Sequence, residues 1–378
     1  MSASHLDFYK KFKISPVRQD ISDLERHFRR RQALYRHLGI LPGYVAGRRV
    51  CEVGPGSGYN SIYTASLGPA YYELVEGNPT GIEQIRDLFS AYPQWTADIA
   101  ITAARIEDYR ATAAFDLVLC EGVLTGVTNP EEILNALAQA VKLGGMLVVS
   151  CVDHLSQFPE TIRRVFADLA THSEQTLEQK VASILPLVSP HLQTLSGMSR
   201  RHDDWIIDNL IHPGAVIPLI NFPEVIAVLA HEFQFLSSSP NFVQDWRWYK
   251  DIVGGNYDFN HNAIEQYWRH AHNLMDFRIT MPPRDPIANI RLYDLCTEAR
   301  LRVERFEKSR AAGLLVEFRE LLEEISADLS VVSPLTTAAL DEAADLLKTG
   351  APERLATASL FAPLFGRGMQ YLSFTREE

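Results

Sequence analysis

The sequence predicts a doubly wound α/β fold, with a mostly parallel sheet of the seven-stranded type and helical N-terminal, inserted and C-terminal additions. Three observations predict it. Five short apolar runs alternate with helix-like segments between residues 49 and 154. Those runs are apolar almost throughout, the mark of a parallel sheet covered on both faces. A glycine-rich turn also joins the first of them to the segment behind it.

The elements follow in order. In residues 1–46, Ile21, Leu24, Phe28, Ala33, Leu34 and Leu38 recur at helical spacing, and Pro42-Gly43 end the stretch. The α/β core spans 47–154. Its strands are RVCEVG, YYELVEG, DIAITA, FDLVLCEG and MLVVSCVDH. Its helices are SIYTASLG, stopped by Gly68, PTGIEQIRDLFSAY, with Pro79 in its first turn, and NPEEILNALAQAVKLGG, with a Gly-Gly stop. Residues 155–221 break the rhythm and read as a helical insertion or lid. The core resumes over 222–255 with a helix, FPEVIAVLAHEF, and a strand, QFLSSSP. Residues 256–378 read as a helical extension, with strong periodicity from Leu314 to Leu329.

Composition narrows the function classes. Apolar residues are 46% and charged residues 22%, a globular balance, and the net charge is −11. A duplex nucleic-acid binder needs a basic footprint, so no nucleic acid is expected as partner. The one dense basic run, Arg29-Arg30-Arg31, reads as a solvated helix face. Cys51, Cys120, Cys151 and Cys296 form no CxxC pair, and three lie in strand-like runs, so buried free thiols are expected. There is no secretory h-region near residue 1 and no apolar run of 18, which predicts a cytoplasmic protein without a membrane partner. The helical additions offer surfaces for homo-oligomerisation.

The sharpest motif is Glu52-Val53-Gly54-Pro55-Gly56-Ser57-Gly58. Glycines there let the backbone turn tightly and approach a ligand, while the next helix presents free N–H groups. A dinucleotide fingerprint wants GxGxxG, whereas this loop is GxGxG with an acid two residues ahead. A second acid, Glu76, closes the second strand 18 positions after Gly58, at a distance that suits ribose hydroxyls, with Gly77 and Asn78 beside it.

The form ExGxGxG, with Glu76 at its distance, resembles the first motifs of class I S-adenosylmethionine-dependent methyltransferases. The resemblance spans roughly 46–152. It implies S-adenosyl-L-methionine as cofactor and S-adenosyl-L-homocysteine as product. It carries Glu52, Gly54, Pro55, Gly56 and Gly58 to the amino acid end of the cofactor, and Glu76, Gly77 and Asn78 to its ribose. The family often has Gly-Asp-x after the third strand, but this chain has Ala104-Arg105-Ile106-Glu107. The resemblance then leaves Glu107 or the backbone to substitute for that acid, and Ile106 to pack on the adenine face. Glu121 and Gly122, ending the fourth strand, are expected on the methyl-transfer side.

Methyl transfer needs positioning and dryness more than a fixed base, so the sequence names only candidates. His154, after the fifth strand, and Tyr59, after the glycine loop, are the catalytic candidates. For His154 a capping or surface role competes, and for Tyr59 packing does. In the insertion, residues 199–205 and 209–213 mix charge with aromatics and suit either a lid facing a polar substrate, with His202 as a candidate for substrate contact, or a solvated hinge. Trp246 and Tyr249, in NFVQDWRWYK, suit a substrate wall or an interdomain seam. His261, His270 and His272 with Asp258 and Glu265 fit no compact metal site, so no metal is expected. The reading is a methyltransferase acting on a small-molecule oxygen or nitrogen acceptor. The alternatives are a non-catalytic S-adenosylmethionine-binding or scaffold protein and, behind it, a nicotinamide-dependent oxidoreductase.

Overall fold

The computed structural model describes residues 5–15, 18–95, 98–212 and 219–377. It divides into two compact units: residues 1–152, 217–267 and 369–378 form the first, and 153–216 and 268–368 the second.

The first unit is built on a seven-stranded sheet. Its strands are β1 (Arg49–Val53), β2 (Tyr71–Glu76), β3 (Ile99–Ala103), β4 (Phe115–Cys120), β5 (Val141–Cys151), β6 (Phe233–Ser239) and β7 (Gln370–Arg376). They lie in the order β3-β2-β1-β4-β5-β7-β6. The pairs from β3 to β5 are parallel, and β7 runs antiparallel between β5 and β6. The chain winds outward from β1 to β3, then returns to place β4 on the other side of β1. Ligands of open α/β sheets sit at such a reversal, outside the carboxyl ends of the strands.

The central strands β1, β4 and β5 are buried along most of their length, whereas β3 at the edge is only half-buried. Val50, Leu74, Leu117 and Val148 pack in one cluster with Tyr35, Leu38 and Ile40 from the N-terminal region. The helix Leu24–His37 thus closes one side of the core. All four cysteines are free and buried. No helix among the described residues is long and apolar enough to cross a membrane.

Two elements differ from the sequence reading. Residues 370–376, read within a helical extension, form β7. Seven residues carry too little local signal, and their partners β5 and β6 lie far back along the chain. The segment read as one helix from Asn129 to Gly145 ends at Ala140, and β5 starts at Val141. Register explains it: Phe115 pairs with Val141 but Leu117 with Met146, so residues 142–145 bulge opposite Asp116. Gly144 makes that bulge at φ +70°, and Lys142 reaches Asp116 at 3.2 Å.

The second unit is helical, with Phe158–Leu169, Leu177–Leu192, Pro286–Ser309, Ala312–Leu329 and Pro334–Thr349 as its main members. A capping box between Thr176 and Gln179 starts the second of these. Arg163, fully buried, organises the interior. Its guanidinium donates to the carbonyls of Ala362 (3.1 Å) and Leu364 (2.8 Å) and stacks on Phe365 at 3.8 Å. It also donates to His191 Nδ1 at 3.3 Å, while His191 Nε2 faces the Leu355 carbonyl at 2.9 Å. That pattern requires a neutral imidazole protonated on Nε2.

Candidate cofactor site

The glycine loop leaves β1 at the sheet's reversal point. Gly54, Gly56 and Gly58 all have positive φ, at +74°, +60° and +77°. Gly54 is doubly constrained, since a Cβ there would lie 2.2 Å from Val123 Cγ2. The close approach continues behind the loop, where a Cβ on Gly81 would meet the Gly56 carbonyl at 2.6 Å. Only glycine lets the helix Pro79–Ser90 sit that near the loop.

Glu76 ties the two strand ends together. Its Oε2 accepts the Gly56 N–H at 2.8 Å and its Oε1 the Asn78 N–H at 2.7 Å. Burial raises its pKa, and the backbone donors pull it back down. Gly77 is a third backbone donor to it, and the carboxylate retains acceptor capacity for a sugar hydroxyl. Asn78 caps the following helix by accepting from Thr80 N–H at 3.2 Å.

Beneath the loop lies a buried polar network. Glu52 is 4% exposed and accepts a hydrogen bond from the Tyr72 hydroxyl. Burial first, and then the nearby Glu121, push its pKa up to about 7. Glu121 is gripped by Arg31 through two bonds, 2.9 and 2.6 Å, in a pair whose side chains are 7% and 9% exposed. Arg31 is therefore not part of a solvated basic face. It also lies over the Tyr35 ring at 5.3 Å, and Tyr35 bonds Thr64 at 2.6 Å. Beside this network Gly122 donates its N–H to Ser150 Oγ at 2.7 Å.

The remaining candidates separate. Tyr59 is half-buried, and its carbonyl faces His27 Nε2 at 2.8 Å. Burial lowers the pKa of His27, so the neutral ring donates that hydrogen bond. Ile106 lines a small apolar cavity with Cys51, Val53, Tyr109, Val118 and Leu137. Glu107 is exposed and paired with Arg105 at 3.6 Å. His154 belongs to the second unit, where it packs on Tyr293 at 5.6 Å and burial pushes its pKa down to about 4. His202, in the same unit, begins a short helix and bonds Ser189 at 2.5 Å. Trp246 and Tyr249 lie in the loop after β6 and stand 91% and 71% exposed. Pro213, the last residue of the aromatic-polar stretch 209–213, lies outside the described residues.

Sequence reasoning missed His27, Arg31 and Tyr35. A signal was present: the three occupy positions i, i+4 and i+8 of the helix Leu24–His37, one buried polar stripe beside the apolar one.

Comparison with known proteins agrees with this geometry. The sequence profile of a family described as a methyltransferase domain matches residues 45–195. The mitochondrial ubiquinone biosynthesis O-methyltransferase of Schizosaccharomyces pombe is 29% identical over 170 residues, covering 44% of this chain and 57% of that protein. The ubiquinone biosynthesis O-methyltransferase of Neisseria meningitidis is 31% identical over 111 residues, covering 29% of this chain and 46% of its own. That of Burkholderia multivorans is 32% identical over 112 residues, 29% of this chain and 47% of its own. The chain thus spans about half the length of the curated relatives it matches. Among solved structures, an S-adenosylmethionine-dependent methyltransferase from Mesorhizobium loti aligns over 35% of this chain and 56% of its own, at 21% identity and a TM-score of 0.29. Residues 45–195 are thus similar to a methyltransferase domain, and the seven-stranded, mostly parallel sheet they enter is the fold expected of one.

Proposed function

We propose that the protein transfers a methyl group from S-adenosyl-L-methionine to a small-molecule acceptor, with oxygen favoured over nitrogen as the acceptor atom. The observation that carries the reading is the Glu76 bridge: a buried carboxylate joining the glycine loop to the end of β2, at the point where the sheet reverses. The closely packed glycines Gly54 and Gly81 fit a loop that a ligand approaches along its backbone. The names of the relatives, all O-methyltransferases, support an oxygen acceptor.

When bound, the cofactor would supply an electrophilic methyl on its sulfonium to the acceptor. The chain's own residues have simpler duties. Glu76 offers acceptors to the sugar, and the loop N–H groups and helix start face the amino acid carboxylate. Glu52 and Glu121, held by Tyr72 and Arg31, back the loop and the end of β4. Within the first unit, Tyr59 is the candidate for receiving or relaying the acceptor's proton, and Trp246 and Tyr249 for contacting the acceptor.

The test uses methyl-labelled cofactor with a panel of phenols, catechols, amines and a metabolite extract, read by mass spectrometry. Label should appear on a small-molecule oxygen and be lost in Gly56→Arg. Calorimetry should show S-adenosyl-L-homocysteine binding. Binding with no labelled product across the panel would favour a non-catalytic binder, and no binding at all would overturn the reading.

A further inference from the structure

The N-terminal segment does something no sequence motif announced. The helix His5–Phe12 and the turn after it touch each of the three loops to which the cofactor reading assigns a part of the ligand. At the glycine loop, Ser15 Oγ bonds Ser57 Oγ at 2.9 Å, and Ser57 donates onward to Gln84 Oε1 at 2.6 Å. The chain of donors is therefore Ser15 to Ser57 to Gln84, since Ser57 has one proton to give. At the end of β2, Asn78 donates its side-chain amide to the Ile14 carbonyl at 3.0 Å. One residue earlier, a Cβ on Gly77 would come within 3.0 Å of Leu6 Cδ2, so Leu6 lies flat on the glycine. At the end of β3, Asp7 faces Arg105 at 3.4 Å.

We propose that residues 6–15 form a strap closed over the cofactor crevice, with Ser15–Ser57 as its latch, which must lift before the cofactor can enter or the spent nucleoside can leave. The inference rests on the reading in the previous subsection and adds a specific gate to it.

The geometry sets how firmly the strap closes. Its contacts with the three loops include two neutral side-chain hydrogen bonds, one half-buried leucine and an ion pair whose side chains are 37% and 50% exposed. Each is of a kind worth about tenfold or less in an equilibrium constant. The next helix, Leu24–His37, is fixed differently, through the buried Arg31–Glu121 pair and the His27–Tyr59 bond. The strap can therefore open while the floor of the site stays formed. The described residues between the two helices carry no regular structure, so opening costs no helix. Burial raises the pKa of Glu76, and after the backbone donors Lys10 of the strap is among the groups that offset the rise.

Two full-length variants test this with S-adenosyl-L-homocysteine as the probe. Leu6→Glu with Asp7→Arg puts a charge on Gly77 and a repelling cation beside Arg105. In a stopped-flow chase it should release the nucleoside about tenfold faster than wild type. Ser15→Cys with Ser57→Cys allows a reversible lock, because the four native cysteines are buried and free. Loaded and then oxidised, it should hold its ligand. Oxidised while empty, it should refuse it, and a reductant should reverse both. Wild-type release rates in the first variant, or free exchange through a lock shown by mass to be formed, would overturn the strap while leaving the cofactor reading intact. If the lock does not form, the first variant decides alone. A wild-type protein that binds no nucleoside would overturn both.

Discussion

Removing the Arg31 guanidinium should unfold the first unit at a markedly lower temperature, and removing Glu121 as well should restore most of the loss. The pair is bidentate, at 2.9 and 2.6 Å, and nearly closed to solvent. Breaking a buried pair from one side leaves an uncompensated charge and costs about 3–5 kcal/mol. Here the remaining carboxylate also repels Glu52, which already feels Glu121. The lost contact with the Tyr35 ring adds roughly 0.5–1 kcal/mol. For a unit of roughly 200 residues each kcal/mol moves the midpoint by about 2–4 °C, so Arg31→Met should lower it by about 10 °C. Arg31→Met with Glu121→Gln removes both charges and keeps similar volumes. It should recover at least half of the loss, because the penalty lies in the stranded carboxylate. Calorimetric melting of wild type, both single variants and the double variant closes the cycle. A cost under about 1 kcal/mol for Arg31→Met, or a double variant no better than Arg31→Met, would refute the argument.

Other outcomes follow from single features. Glu52 titrates near 4.5 when unfolded and about 7 when folded, so the native state keeps a proton that the unfolded chain has lost. Its contribution to stability is therefore fully favourable only below about 4.5 and declines as pH rises to 7, by about 3 kcal/mol in total. Denaturant titrations of Glu52→Gln should show its advantage over wild type growing by that amount between pH 4.5 and 8, and a flat difference would contradict the assignment. Gly54→Ala meets both a left-handed φ and Val123 at 2.2 Å, whereas Gly47→Ala meets only a φ of +71° with nothing within 4 Å. The first should cost about 2–4 kcal/mol and the second about 1–2 kcal/mol, so equal costs would deny the close approach. Burial and Arg163 push His191 down to about 4, so as pH falls from 6.5 towards 4 the folded state resists a proton the unfolded chain accepts. Stability is lost across that window, and the His191 ring signals in an NMR titration should move only near its lower end. A midpoint near 6.5 would show that the ring is solvated.

The sequence by itself determined the parallel part of the sheet and the position of the glycine loop. β1, β2, β3 and β4 each form one apolar run beside a turn signal, and Glu52, Gly54, Gly56, Gly58 and Glu76 lie at strand ends where spacing alone located them. Such features are local: a strand buried on both faces advertises itself by composition, and a left-handed turn by glycine. Only the tertiary structure decided the rest, because it depends on partners distant in the chain. β7 is a strand because β5 and β6 supply its hydrogen bonds. Arg31 is buried because Glu121, 90 positions later, accepts both of its bonds. Trp246 and Tyr249 are 91% and 71% exposed, a property set by what packs on a side chain and not by its composition. Leu6, Asp7 and Ser15 carry no periodic or motif signal, and their part in the site follows from lying across Gly77, Arg105 and Ser57.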